Sequence, residues 1–352
     1  MLTLDDIETP AVLLDRERVE RNLQKAQAYA DSHGLKLRPH IKTHKLPHLA
    51  ARQVELGACG ITCQKLGEAE IMADAGLSDI LLTFNIVGPA KLRRLKALAE
   101  RVTLAVTADS AATIDGYAGT FRAEAPLTVF VECDTGMGRC GVPTADEALA
   151  LAQRIDAAEG LHFGGLMTFP AAGKPDEAAR WLDEACRKLK TAGLDVPVVT
   201  SGGTPDMWRA HEAEVVTEYR PGTYIYMDRS QVARDACTFD ECALHVLATV
   251  VSAPTPDRVV LDAGSKTLSS DTLGLEGFGF IPAYPEARIA SLSEEHGVVD
   301  VSACERRPAI GDRIEIVPNH ACVVTNLFDE VHFVGSNGHV ERVRVAARGR
   351  VD

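Results

Sequence analysis

The sequence lacks several features that would assign it to a particular class of protein. It contains no apolar run close to the roughly 18 residues that a membrane-spanning helix needs. Its opening residues, MLTLDDIETP, lack the basic start and apolar core of a secretory signal. Lys and Arg number 37 against 50 Asp and Glu, so the formal charge is −13 and disfavours nucleic-acid binding. We therefore expect a cytoplasmic protein with neither a membrane nor a nucleic-acid partner.

Cysteine usage excludes one further class of fold. The nine cysteines are odd in number and scattered along 352 residues, unlike the dense, even set of a disulfide framework. We expect reduced thiols. With 46% hydrophobic and 25% charged residues, the composition is ordinary for a globular protein, and the length corresponds to two domains at about 150 residues each.

The first two thirds of the chain alternate short apolar runs with longer segments of helical period. The candidate strands are Lys36–Ile41, Ala58–Cys63, Asp79–Phe84, Arg101–Val106, Leu127–Glu132, Phe163–Thr168, Val196–Thr200 and Val215–Arg220. Strands that alternate with helices favour a parallel sheet covered by helices. The pattern predicts an α/β fold, a TIM-type (β/α)8 barrel over residues 1–235. An open doubly wound sheet is the alternative.

After Asp235 the helical period fades, and short strand-like runs separated by Gly, Asn and Pro follow. These runs are His245–Ser252, Arg258–Asp262, Ile314–Val317 and Val331–Val334. They predict a second, C-terminal, mostly β domain over residues 236–352. The residues ahead of a predicted opening helix, Asp15–Ser32, are candidates to pair with that domain.

Basic and imidazole side chains gather at the end of the first predicted barrel strand, in the segment R-P-H-I-K-T-H-K. The C-terminal ends of barrel strands face the active site. Lys42 stands at this end, between His40 and His44. An amine near other cationic groups loses its proton more readily and becomes a nucleophile. Lys42 is therefore a candidate nucleophile, with a basic surface loop as the alternative.

A glycine-rich segment, E-C-D-T-G-M-G-R-C-G, follows the fifth predicted strand at residues 132–141. Its three glycines allow the backbone to approach a ligand closely. Arg139 offers a fixed fork of donors for an oxyanion. The alternative is a turn that carries a solvated arginine. We expect the neighbouring carboxylates Glu132 and Asp134 to shape this turn.

The loops after the last two predicted barrel strands read S-G-G-T and R-P-G-T-Y. In such barrels these loops are the usual phosphate site, because their backbone N–H groups are available to bind it. Gly203 and Thr204 lie in the first loop, and Gly222, Thr223 and Tyr224 lie in the second. Either loop alone is a weak signal, but the two together predict a phosphate site.

In the second domain, the segment P-N-H-A-C contains His320 and Cys322. On a strand, residues i and i+2 face the same side, so these two side chains could bind one metal ion. Imidazole and thiolate suit zinc or another borderline divalent ion. A purely structural role is the alternative.

Taken in order, R-P-H-x-K-T-H-K, D-T-G-M-G-R-C-G, S-G-G-T-P, R-P-G-T-Y and P-N-H-x-C resemble a known family. They are similar to the fold-type III pyridoxal-phosphate (PLP) enzymes, and most of all to the D-threonine aldolase and D-serine dehydratase group. The segments D-A-G-S-K at 262–266 and S-E-E-H-G at 293–297 also resemble that group. D-T-G-M-x-R resembles alanine racemase, from the wider superfamily. The resemblance covers nearly the whole chain.

The resemblance implies a role for each motif. Lys42 carries PLP covalently and is the catalytic residue, Arg139 binds the phenolic oxygen of the cofactor, and Gln64 lies near the ring or the substrate. The phosphate site comprises Gly203, Thr204, Gly222 and Thr223, with Tyr224 lining the same pocket. His320 and Cys322 bind a divalent metal, Zn, Mn or Mg. The family is dimeric, so we expect a homodimer with the active site at the subunit interface.

The same resemblance implies a lyase that acts on D-β-hydroxy amino acids. We expect retro-aldol cleavage of D-threonine-like substrates to glycine and an aldehyde. The alternative is dehydration of D-serine or D-3-hydroxyaspartate to a 2-oxo acid and ammonia. Racemisation is less favoured, and the second domain disfavours a PLP carrier without catalysis.

Two motifs bear on this choice and point in opposite directions. The H-x-C pair is more similar to the dehydratases, because the aldolases more often have H-x-D. Phe169 and Pro170, however, stand where the dehydratases have a histidine-containing segment. Neither side chain can act as an acid or base, so we expect Phe169 to pack in the pocket.

Overall fold

The computed structural model describes residues 2–352. The chain forms two compact units, each built on an eight-stranded sheet. The barrel unit comprises Ala26–Lys42, Pro47–Gly222 and Arg350–Asp352. The β unit comprises the residues up to Lys25, together with Thr43–Leu46 and Thr223–Gly349.

All strands of the barrel unit are parallel. They are β2 (Lys36–Leu37), β3 (Ile61–Cys63), β4 (Asp79–Leu82), β5 (Thr103–Ala108), β6 (Leu127–Cys133), β7 (Leu161–Thr168), β8 (Val198–Ser201) and β9 (Glu218–Tyr219). Their order is β2-β9-β8-β7-β6-β5-β4-β3. The sheet closes where His40 pairs in parallel with Thr62, whose N–H donates to Pro39 O at 2.8 Å. The predicted barrel is therefore confirmed, and each of its eight predicted strands overlaps an observed one.

Helices connect these strands and begin at the residues that favour helix starts. They are α1 (Arg16–Ser32), which spans both units, and α2 (Pro47–Leu56), α3 (Leu66–Asp74), α4 (Pro89–Ala99), α5 (Ala111–Ala118), α6 (Ala145–Asp156) and α7 (Pro175–Thr191). Thr144 caps α6 by accepting the N–H of Glu147 at 3.2 Å. Pro89 and Pro175 begin α4 and α7, where a missing N–H has no cost.

A bulge in β7 depends on glycine. Val129 pairs with Phe163, but the next residue of β6, Phe130, pairs with Gly165. Gly165 has a φ of 129°, and an added Cβ would lie 1.8 Å from Val198 O. Only glycine permits this approach of β8 to β7.

The β unit has a mixed sheet. Its strands are β1 (Ala11–Asp15), β10 (Leu244–Thr255), β11 (Arg258–Leu261), β12 (Arg288–Leu292), β13 (Gly297–Asp300), β14 (Arg313–Ile316), β15 (Glu330–Val334) and β16 (Val340–Arg344). The order is β12-β13-β11-β10-β1-β15-β16, and β14 pairs with β10. The opening strand β1 pairs with β10 and with β15 and so belongs to this sheet. The strands β12, β13 and β16 were not predicted.

The units separate at Gly222, earlier than the boundary expected at Asp235. The reason is that the intervening segment bonds to the β unit. Tyr226 O accepts the N–H of Ala243 at 2.7 Å, and the N–H of Arg229 donates to Pro318 O at 3.1 Å. Short helices in this unit are α8 (Arg229–Val232), α9 (Ser265–Leu268) and α10 (Ala321–Leu327).

Two expectations from composition can be compared with the structure. All nine cysteines are free thiols, as expected. Across residues 2–352, no helix is both long enough and apolar enough to cross a membrane.

Candidate active site

Lys42 is presented by a short 3-10 turn, Ile41–Thr43, beyond the end of β2. Gln64 Nε2 donates to Thr83 O at 2.8 Å, and Gln64 Oε1 lies 3.0 Å from His40 Nε2. Because this amide oxygen can only accept, His40 carries its proton on Nε2. His40 Nδ1 is then the acceptor for the N–H of Lys42 at 3.4 Å. This chain of hydrogen bonds fixes the turn that carries Lys42.

The loop that carries Arg139 is organised by a carboxylate at its start. Asp134 Oδ1 accepts the N–H groups of residues 136–138 at 2.8 to 3.0 Å. At the far end of the loop, the N–H of Gly141 donates to Asp109 Oδ2 at 3.1 Å. The two contacts hold an exposed loop in one conformation, and Asp134 shapes the turn as expected.

The side chains of Lys42 and Arg139 meet at one aromatic ring. Lys42 Nζ lies 5.9 Å from the centroid of the Phe169 ring, and Arg139 Cζ lies 5.0 Å from it. Phe169 directly follows β7 and is half-buried. The ends of β2, β6 and β7 therefore bring two cations and one aromatic ring together.

The loops after β8 and β9 form a cradle with available donors. In the described chain, the N–H groups of Gly203 and Gly222 donate to no backbone carbonyl. The two loops touch at Gly202, where an added Cβ would lie 2.5 Å from Arg220 N. An added Cβ at Gly203 would fill the space beside Phe169, 3.5 Å from its ring. Paired N–H donors in such a cradle suit a phosphate group.

Two buried charged residues of the barrel were not predicted as functional. Arg220 donates from Nε to Thr200 Oγ1 at 2.9 Å and from Nη2 to Thr168 O at 2.5 Å, and burial lowers its pKa to about 10. Burial and the nearby Asp109 raise the pKa of Glu132. Both residues lie inside motifs noted in the sequence, but spacing does not show that they point into the barrel.

The predicted metal pair belongs to the β unit, and its backbone differs from expectation. His320 is the N-cap residue of α10, and Cys322 lies in its first turn, so the predicted strand is wrong here. The side chains are nonetheless hydrogen-bonded to each other. Cys322 Sγ also lies 3.1 Å from Thr43 Oγ1 and 3.6 Å from Thr223 Oγ1.

The carboxylate of Asp228 orients the imidazole of His320 through its Nδ1 atom. Its Oδ2 lies 3.1 Å from His320 Nδ1 and accepts the N–H of Ala321 at 3.0 Å. Burial disfavours the imidazolium, but the sulfur of Cys322 and the carboxylate of Asp228 raise the pKa of His320 to about 11. The surroundings of His320 therefore favour a positive charge at this place.

The donor set at α10 fits a divalent cation with open coordination positions. Across residues 2–352, no three His, Cys, Asp or Glu side chains are arranged to hold a metal, so a cation at this place would have His320 and Cys322 as two protein ligands. Among residues 2–352, the fully buried hydroxyl of Tyr226 has no hydrogen-bond partner. Burial raises the pKa of Tyr226, and the charge on Cys322 raises it further.

The predicted site residues divide between the two units. The barrel unit contains Lys42, Gln64, Arg139, Gly203, Thr204 and Gly222. The β unit contains Thr223, Tyr224, His320 and Cys322. Gln64 supports His40, and the hydroxyl of Thr223 faces the sulfur of Cys322.

Comparison with known proteins agrees with this arrangement. The family model "Alanine racemase, N-terminal domain" matches residues 14–230, and "Putative serine dehydratase domain" matches residues 243–334. A D-threonine aldolase of Arthrobacter sp is 36% identical, over 97% of this chain and 93% of that protein. A D-threo-3-hydroxyaspartate dehydratase of Delftia sp. (strain HT23) is 32% identical, over 97% of each chain.

The fold agrees equally well with a solved structure. The crystal structure of D-threonine aldolase from Filomicrobium marinum superposes with a TM-score of 0.93 and 34% identity, over 100% of this chain and 98% of that one. A racemase-type barrel with a lysine at a strand end, followed by a β domain, defines the class as fold-type III PLP enzymes. The chain belongs to this alanine racemase-like family, in its group of PLP-dependent lyases. The resemblance inferred from the motifs is confirmed.

Proposed function

We propose that this protein cleaves D-β-hydroxy amino acids by a retro-aldol reaction, with D-threonine giving glycine and acetaldehyde. The observation that carries the proposal is that the chain contains a lysine near a phosphate cradle and also a His–Cys pair whose imidazole and sulfur are donors that suit a divalent metal. Similarity to a D-threonine aldolase over 97% of the chain supports it. We propose a preference for D substrates because the similar D-threonine aldolase and D-threo-3-hydroxyaspartate dehydratase act on D isomers.

In the barrel unit, each residue has a binding task. Lys42 would attach PLP through its amine, and the N–H groups of Gly203, Thr204 and Gly222 would bind its phosphate. Thr223 and Tyr224 directly follow Gly222 in the sequence and belong to the same predicted phosphate motif. Arg139 would donate to an anionic oxygen of the cofactor. PLP, when bound, supplies an electron sink for the bond that breaks at Cα. The His40–Gln64 contact keeps Lys42 in place while its amine takes up or releases a proton.

In the β unit, His320 and Cys322 would hold a divalent metal, and Asp228 keeps the imidazole oriented. The metal, when bound, supplies Lewis-acid polarisation of a substrate oxygen. A thiolate and an imidazole favour Zn over Mg, with Mn as a further candidate. Since only two protein ligands are available, room remains for water or substrate.

Dehydration is the second candidate function, and one observation favours it. Cys322 provides sulfur where a carboxylate ligand would be more typical of aldolases. A D-threo-3-hydroxyaspartate dehydratase is 32% identical to this chain. In that case Lys42 removes the Cα proton, the β-hydroxyl leaves as water, and the products are a 2-oxo acid and ammonia. A cytoplasmic homodimer with the active site at the subunit interface remains a prediction in either case.

The test uses D-threonine, because its products differ between the two reactions. The purified protein is incubated with PLP and either Mn²⁺ or Zn²⁺, and the products are identified by mass spectrometry. L-Threonine is the stereochemical control, and Lys42→Ala protein is the control for cofactor attachment.

Each outcome has a distinct meaning. Glycine plus acetaldehyde from the D isomer supports aldol cleavage. Ammonia plus 2-oxobutyrate would show that the protein is a dehydratase and not an aldolase. If D-threonine is inert, D-3-hydroxyaspartate is tested next, and glycine plus glyoxylate would show an aldolase for acidic substrates. Inertness toward both would overturn the proposal.

A further inference from the structure

One aromatic side chain contacts three separate parts of the proposed cofactor site. The Phe169 ring has Lys42 Nζ 5.9 Å from its centroid and Arg139 Cζ 5.0 Å from it. The same ring stands 3.5 Å from the position of an added Cβ on Gly203, in the cradle. The sequence indicated only a packing role for this residue.

Two basic side chains approach the same aromatic ring. An aromatic ring presents a negative face, and a cation within about 6 Å of its centroid is attracted to it. Both Lys42 Nζ and Arg139 Cζ satisfy this distance at the same ring. A leucine of similar volume would keep the apolar contact but not this attraction.

Hydrogen bonds fix the backbone at the residue that precedes Phe169. The preceding residue, Thr168, is fully buried, and its hydroxyl donates to Cys133 O at 2.8 Å. Its carbonyl accepts from Arg220 Nη2 at 2.5 Å. The hydroxyl of Thr135, on the loop that carries Arg139, lies 2.9 Å from that of Thr168. These hydrogen bonds hold Phe169 and the loop that carries Arg139 in fixed positions relative to each other.

We propose that Phe169 is a positioning residue of the cofactor site, whose ring holds the Lys42 side chain and the Arg139 guanidinium in place before PLP binds. The inference rests on the proposed function, because the role concerns PLP binding. According to this proposal, the aromatic ring of Phe169 raises the affinity for PLP by more than an apolar side chain of similar volume would.

The test compares apolar and aromatic replacements in the full-length apo protein. Phe169→Leu and Phe169→Met remove the ring, and Phe169→Tyr and Phe169→Trp keep one. Phe163→Leu, at a buried phenylalanine in β7, the strand that precedes Phe169, is the matched control. PLP is titrated into each protein and followed by visible absorbance. Pyridoxal, which lacks the phosphate, is titrated in parallel to separate the Lys42 end of the site from the cradle.

We expect Phe169→Leu and Phe169→Met to weaken PLP affinity about tenfold and to weaken pyridoxal affinity by a similar factor. Phe169→Tyr and Phe169→Trp should stay within about threefold of the wild type. Phe163→Leu should lower thermal stability but leave PLP affinity unchanged. Circular dichroism identifies any variant that does not fold. The other variant of the same kind, apolar or aromatic, is then used for the comparison of PLP affinities.

Two results would overturn the inference. One is wild-type PLP affinity in a folded Phe169→Leu or Phe169→Met protein, and the other is an equal loss in the aromatic and apolar variants. Failure of the proposed function would look different, because the wild type itself would then bind no PLP or would release no product from D-β-hydroxy amino acids.

Discussion

The two units place their proposed functional side chains in different ways. In the barrel unit, Lys42, Arg139 and Gly203 each follow a strand, so the topology of parallel strands gathers them at one end. In the β unit, His320 and Cys322 sit at the start of a short helix, and Asp228 reaches them from a distant part of the sequence. Barrel positions follow from strand order, whereas the β-unit site depends on one long-range contact.

The comparison implies that the two units can be disabled separately. Variants in the barrel should alter how PLP is bound, and variants at α10 should alter how metal is bound.

The largest effect is expected at Lys42. Lys42→Ala removes the only amine proposed to attach PLP, so turnover should fall by about 10³-fold or more, and the visible absorbance of the attached cofactor should disappear. Steady-state kinetics and absorbance spectra measure both. Lys36→Ala changes an exposed lysine in β2, the strand that precedes Lys42, and should leave both unchanged. Retained absorbance in Lys42→Ala protein would show that PLP is attached elsewhere.

A second large effect is expected at α10. His320→Ala should keep the cofactor absorbance but lose turnover by about 10²-fold. Asp228→Asn, which leaves both ligands in place, should weaken metal affinity by about 10- to 100-fold, as measured by isothermal titration of metal-stripped protein. His296→Ala, at an exposed histidine of the same unit, is the control. If His320→Ala abolished the cofactor absorbance, the two units would not be separable.

A smaller effect is expected where Gln64 supports His40. Gln64→Ala removes the acceptor of the His40 proton and should weaken PLP affinity by about fivefold, since one hydrogen bond contributes roughly 1 kcal/mol. Gln64→Glu keeps the acceptor but loses the donor to Thr83 O, so it should recover part of the affinity. Absorbance titration with PLP provides the measurement. Equal losses in the two variants would contradict the assigned proton position on His40.

The smallest effect is expected at Tyr226. Its hydroxyl is buried without a hydrogen-bond partner, so Tyr226→Phe should leave the free energy of unfolding of the apo protein unchanged or raise it by about 1 kcal/mol. Denaturant unfolding followed by circular dichroism measures this. A fall of more than about 1 kcal/mol would mean that the hydroxyl is satisfied in the apo protein.

The same contrast explains what could be predicted from the sequence. The barrel strands are short apolar runs between helices of clear period, so their positions were predicted correctly. Lys42 was selected as a candidate because it follows such a run. The strands β12 and β16 were missed because exposed polar residues interrupt them, as in V-E-R-V-R. Spacing gave no signal for a strand of this kind.

The error at His320 has a different cause. The residues after it, A-C-V-V-T, are rich in β-branched side chains, which favour strands. They form α10 instead, and the carboxylate of Asp228 satisfies the N–H of Ala321 at the start of that helix. No local pattern in the sequence reveals a cap supplied from residue 228.

The shortness of β2 and β9 has a consequence for local stability. Each contains only two residues, yet they are neighbours in the barrel and lead directly to Lys42 and Gly222. Few backbone hydrogen bonds join them, and the ion pair between Arg38 and Glu218, at 2.8 Å, links them through side chains. Amide protons in this part of the barrel will therefore exchange with solvent ahead of those in β6 and β7. The proposed cofactor site thus lies where the barrel can open locally without unfolding as a whole.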